Sequence, residues 1–132
     1  MNARKVKGFT LNELMIVVVV MAVLAMIAYP TYEEQVRKSR RSDGQSALLE
    51  LSTLMEHYYT ENNTYAGATT PAVVGGGSTS REGYYNLSIS NLSATTYTLN
   101  AAPVAGGPQA SDTCGTLTLT QTNIKGPNTD CW

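Results

Sequence analysis

The sequence predicts an α+β protein in which a long, kinked N-terminal helix, apolar in its first half and amphipathic in its second, packs on a small antiparallel sheet. Three observations predict this. An apolar run occupies Leu14–Tyr29, helical periodicity continues from there to about Tyr59, and short alternating runs fill the last third of the chain, where both cysteines lie.

With 132 residues the chain is long enough for one small domain, whose core is marginal unless something staples it. The formal net charge is −1, yet three of the nine basic residues, Arg4, Lys5 and Lys7, lie in the first eight positions. Without those eight, six basic residues face ten acidic ones, which is not the balance of a nucleic-acid-binding surface. Cys114 and Cys131 have sixteen residues between them, and the single histidine, His57, is remote from both. A zinc site needs three or four ligands, so a disulfide formed in an oxidising compartment is the better reading. No metal and no cofactor is expected.

The first element is the apolar segment. Leu14–Tyr29 is sixteen residues with no polar group except the tyrosine hydroxyl, and counting back to Phe9 gives twenty-one. At about 1.5 Å per residue the longer span reaches roughly 31 Å as a helix, which matches a bilayer's hydrocarbon core. A secretory signal peptide would also start with basic residues and end near small ones such as Ala25 and Ala28. This run is longer than the apolar part of such a peptide, and it opens on a carboxylate, Glu13, for which a signal peptide has no use. Flanking charge does not orient the segment, because Arg37, Lys38, Arg40 and Arg41 follow it as closely as the N-terminal cluster precedes it. The cysteines make the C-terminal part the exported one.

The stretch Lys7-Gly8-Phe9-Thr10-Leu11-Asn12-Glu13 resembles the prepilin cleavage motif of type IV pilins and type II secretion pseudopilins: a short basic leader ending in Gly, then Phe, then Glu as the fifth mature residue. Pro30 falls at the twenty-second mature position, where many of these subunits also carry proline. Asn12 departs from the pattern, since an aliphatic residue is commoner there. The resemblance covers the leader and the whole apolar helix. It implies the pilin fold, and a prepilin peptidase that cuts between Gly8 and Phe9 and methylates the new Phe9 amine. It also implies a precursor held in the bacterial inner membrane, an inner-membrane assembly platform, and an extracellular pilus filament of other pilin subunits joined through this helix. Glu13 would then face a neighbour's N-terminal amine. A carboxylate in hydrocarbon costs a few kcal/mol and is functional by default, and a cationic partner removes much of that cost. The alternative is that Glu13 snorkels to the headgroups. On this reading residues 1–8 are a leader, 9–30 the transmembrane and assembly helix, and 31–132 the globular head. The head divides into an amphipathic helix 31–60, a loop 61–83, and a sheet and disulfide region 84–132.

Beyond Pro30 the set Leu48, Leu51, Met55 and Tyr58 has the spacing of one helix face, with Glu50, Thr53, His57 and Glu61 opposite. That stripe reads as core and His57 as a solvated residue. Pro30 removes a backbone hydrogen bond and Gly44 weakens a helix interior, so bending or local melting is expected there unless packing compensates.

Residues 61–83, with Pro71 and Gly75-Gly76-Gly77, show no period and read as a loop, either a surface feature with a task or a mobile one. Alternation then appears in Tyr85, Leu87 and Ile89, in Tyr97, Leu99 and Ala101, and in Leu117 and Leu119. These are three half-buried antiparallel strands, and the helical stripe is what can cover them. The Cys114-to-Cys131 stretch, with Cys-Gly-x-Leu-x-Leu and a closing Cys-Trp, is similar to small minor pilins of Gammaproteobacteria.

An enzyme is not expected, for want of a nucleophile elbow, a P-loop or a metal cluster. The resemblance implies a structural subunit, minor more than major, used in adhesion, twitching motility or DNA uptake. A DNA-binding minor pilin of natural transformation and a type II secretion pseudopilin are the alternatives. DNA is possible but not favoured: outside the helix only Arg81 and Lys125 are basic, and the tyrosines at 65, 84, 85 and 97 are ordinary strand or core residues as readily as stacking platforms. The Asn-x-Ser/Thr triplets at Asn62, Asn86 and Asn91 predict nothing firm.

Overall fold

The computed structural model describes residues 8–132, so residues 1–7 of the expected leader lie outside the described residues. The chain separates into two compact units, up to Val36 and from Arg37 to Trp132.

In the first unit α1 (Leu11–Asn62) begins on a capping box. Thr10 supplies the cap: its hydroxyl accepts from the Glu13 backbone N–H at 3.3 Å, and Glu13 Oε2 accepts from the Thr10 backbone N–H at 2.8 Å. Two otherwise unsatisfied donors of the first turn are thereby engaged. From Leu14 to Ile27 the large apolar side chains are between 51% and 80% exposed, so none of the described residues covers this stretch. Neither Pro30 nor Gly44 interrupts α1, so the expected local melting is not seen. One turn around the proline carries a side-chain bond, from the Thr31 hydroxyl to the Ile27 carbonyl at 3.3 Å.

In the second unit the predicted helix face is the core. Leu48, Leu51 and Met55 are essentially inaccessible, with Leu54 and Tyr58 packed beside them. The buried face also extends N-terminally, through Ala47 and Gly44 to Arg41. Gly44 has a packing reason: a Cβ there would sit 2.9 Å from Cδ2 of the fully buried Tyr85 ring, so the ring lies against bare helix backbone. α1 ends with Asn63 in the left-handed region at φ 55, its N–H donating to the Tyr59 carbonyl at 2.7 Å.

The sheet is antiparallel in the order β1 (Tyr85–Ser90), β2 (Thr98–Pro103), β3 (Leu117–Thr120), β4 (Lys125–Gly126). Register places Leu99 opposite Ile89 and Leu119, and Ala101 opposite Leu87 and Leu117, which puts the predicted apolar set on one face. The fourth strand was not expected, because two residues are too few to show a period.

The 61–83 segment is packed. Tyr65, Ala68, Pro71 and Ser80 are buried, and Pro71–Val74 forms a 3-10 turn closed by Gly75 at φ 84. The Leu87 N–H donates to the Ser78 carbonyl at 2.8 Å and the Ser80 N–H to the Tyr85 carbonyl at 2.9 Å, so the segment shields part of the outer edge of β1.

Candidate functional site

At the N-terminal end, Gly8 and Phe9 are exposed, Phe9 by 89%. Glu13 is not a bare charge there. Its Oε2 takes both the Thr10 N–H and the Thr10 hydroxyl, at 2.8 and 2.9 Å, so the residue read from sequence as an assembly charge also starts its own helix. The Thr-x-x-Glu spacing carries that signal directly, and attention to the carboxylate's charge alone misses it.

At the other end, Cys114 and Cys131 are joined, with Cα atoms 5.8 Å apart. The Cys131 carbonyl accepts from the Gln45 side chain of α1 at 3.0 Å, so the bridged region is tied to the helix. Trp132 donates its indole N–H to the Gly126 carbonyl at 2.8 Å, and the Lys125 ammonium lies 4.9 Å from the centre of its ring.

Sequence reading gave no hint of the polar junction between helix and sheet region. Arg41 and Asp112, seventy-one positions apart, are both buried and form a bidentate pair, with Nε donating to Oδ2 at 2.7 Å and Nη2 to Oδ1 at 2.5 Å. Gln109, fully buried, donates to the Tyr85 hydroxyl at 3.0 Å and to the Arg37 carbonyl at 3.3 Å. The Arg41 hydrogen bonds hold the Asp112 carboxyl below its usual value, against the opposing effect of burial. One signal could have found half of this junction: Arg41 stands seven residues before Leu48, on the stripe.

The tyrosines divide as core residues do. Tyr65, Tyr85 and Tyr97 are buried, and Tyr65 and Tyr97 meet edge to face at 4.8 Å. Both hydroxyls donate to Glu56 Oε1, at 2.9 and 3.0 Å, and burial, followed by that carboxylate, pushes the Tyr65 hydroxyl well above its usual range. None of the three offers a face to a nucleobase. Tyr84, half-buried, lies under the Arg40 guanidinium at 5.4 Å. His57 is on the exposed helix face, its Nδ1 3.7 Å from Glu61. Among the described residues no group of His, Cys, Asp and Glu is placed to hold a metal ion.

Residues 30–118 match the family described as type IV minor pilin ComP, DNA uptake sequence receptor, and residues 3–29 match the prokaryotic N-terminal methylation motif. A solved type IV pilin from Shewanella oneidensis is 29% identical, with 73% of this chain and 97% of that one covered at a TM-score of 0.56. The non-core minor pilin PilV of Neisseria meningitidis is 24% identical, with 70% and 86% covered and a TM-score of 0.58, a likeness of fold.

Proposed function

The chain belongs to the type IV minor pilin family, and we propose that it enters the pilus by a cut between Gly8 and Phe9 followed by pairing of Glu13 with a neighbouring subunit's N-terminal amine. As a type IV pilus minor pilin it is made as a membrane-anchored precursor that becomes part of an extracellular filament with other pilins. No catalysis belongs to this reading, and the family match favours the pilus over a secretion pseudopilus.

The observation that carries the assembly step is the uncovered apolar face of Leu14–Ile27 with one carboxylate at its start. Such a face is stable in hydrocarbon or against like helices and not in water. Since both Thr10 bonds fall on Oε2, the other oxygen of Glu13 is the one a neighbouring amine would meet. Two variants separate the roles. Glu13→Gln keeps a side chain able to close the capping box and removes the charge, whereas Glu13→Leu removes both. The expected result is that both variants stay folded and membrane-held, while the ratio of sheared-filament to membrane-pool protein falls at least about tenfold in each. Mass spectrometry of the wild-type filament protein should find methylated Phe9 as its first residue. A Glu13→Gln subunit at the wild-type ratio would mean that Glu13 serves only as a cap, and a mature terminus near Ala28 would replace the pilin reading with an ordinary signal peptide.

A second reading, DNA capture, is favoured by the family's description as a DNA uptake sequence receptor. With Tyr65, Tyr85 and Tyr97 in the core, a surface open to it is the turn between β3 and β4, with exposed Thr122 and Asn123, beside Lys125 over Trp132. Uncharged side chains there suit base edges, but a single ammonium neutralises little phosphate. Anisotropy titrations of the detergent-solubilised protein against duplex DNA should give a log affinity against log salt slope no steeper than about −2. Lys125→Ala should weaken binding and flatten that slope by about 1. A slope and affinity indifferent to Lys125→Ala would place any DNA contact elsewhere.

A further inference from the structure

A groove of about 580 Å³ opens beside the second half of α1, between the helix and the Gly75–Gly77 run. The glycines are part of its shape: a Cβ on Gly76 would come within 3.0 Å of Leu51 and 3.4 Å of Leu54. Leu51, Leu54 and Leu87 give it an apolar floor. The rim carries Asp43, Glu50 and Glu82 against a single cation, Arg81, an excess of two negative charges. Asp43 accepts the Glu82 backbone N–H on Oδ1 at 3.1 Å, while its Oδ2 is buried and has no hydrogen-bond partner among the described residues.

We propose that this groove receives a lysine or arginine side chain from the head of the neighbouring pilin subunit. Such a side chain has the two parts the groove asks for, an aliphatic stem to lie on the leucines and a cationic tip to reach the rim carboxylates. The occupant is a subunit and not a free cation because the uncovered apolar helix already brings pilin heads together in the filament, so a basic side chain is present at high effective concentration. The inference therefore rests on the assembly reading above. It adds a contact between heads to the contact between helices, and it makes charge complementarity select which subunit stands beside this one.

The test uses intact pili with Glu13 unaltered, so that wild-type protein in the filament fraction establishes assembly independently. Glu50→Lys/Glu82→Lys should lower the filament to membrane-pool ratio about tenfold, by setting like charges against the incoming side chain. Glu61→Lys, on the exposed helix face outside the groove, should leave the ratio unchanged. Protease resistance of the purified variants in detergent confirms folding, and if the double reversal fails to fold, Glu50→Gln/Glu82→Gln takes its place with a smaller loss expected. Zero-length carboxyl-to-amine crosslinking of wild-type pili then identifies a lysine donor, and an arginine donor is recovered by a compensating Arg→Glu change in the neighbouring subunit. Wild-type incorporation of the folded reversal, or of the Gln variant where that stands in, overturns the proposal.

Discussion

Asp112→Ala lowers the stability of the head by about 3–5 kcal/mol, the usual cost of removing one partner from a buried ion pair. The carboxylate takes two charge-assisted bonds from Arg41 in a site where neither side chain is more than 5% exposed, and its loss takes that carboxylate from a guanidinium held in a dry site. Urea unfolding of the detergent-solubilised protein, followed through Trp132, measures it. Trp132 is the chain's single tryptophan and it packs against the core. The pH dependence has a definite sign. Because Arg41 lowers the native value of Asp112, the pair's stabilisation is fully present above the unfolded aspartate value of about 3.9 and fades as pH falls through the lower native one. The wild type should therefore lose stability below about pH 4 more steeply than Asp112→Ala does. Equal midpoints for the two proteins at neutral pH would show that the pair contributes nothing net.

Cys131→Ser lowers stability by about 2–5 kcal/mol, the range for loss of a native disulfide from a small secreted domain. The bridge closes a segment of sequence separation 17, for which the chain-entropy model gives roughly 3 kcal/mol. The cost is large here because Cys131 is itself core, 5% exposed, and because its carbonyl holds Gln45 of α1. Adding reductant to the wild type should lower its unfolding midpoint to nearly that of the variant. A wild type insensitive to reductant after full reduction, checked by thiol titration, would count against this estimate.

What the sequence made legible follows physical period and isolation. Leu48, Leu51 and Met55 recur at helical spacing and are the core, and Leu87, Ile89, Leu99 and Leu117 alternate and share a face. Two isolated cysteines had one evident partner each. What escaped depends on distance along the chain or on shortness. Arg41 and Asp112 stand in unrelated local contexts, and although Arg41 falls on the helical stripe, nothing local marks Asp112 as its partner. β4 has two residues and no period. Gly44 was read as a weakness of the helix because the Tyr85 ring that needs its bare backbone lies forty-one positions on. The 61–83 segment looked structureless because its order comes from contacts with β1 and not from any repeat of its own.

The disulfide has a mechanical consequence in a protein built into a filament under load. If the bonds around β3 and β4 were torn open by pulling, an unbridged stretch of this length would lengthen by up to about 3.4 Å for each residue it released. The Cys114–Cys131 bond removes that hidden length, because the residues between the two sulfurs form a closed ring that tension bypasses. Force passing through that segment is then carried by the disulfide itself, and the ring can loosen without releasing its own residues as extra length.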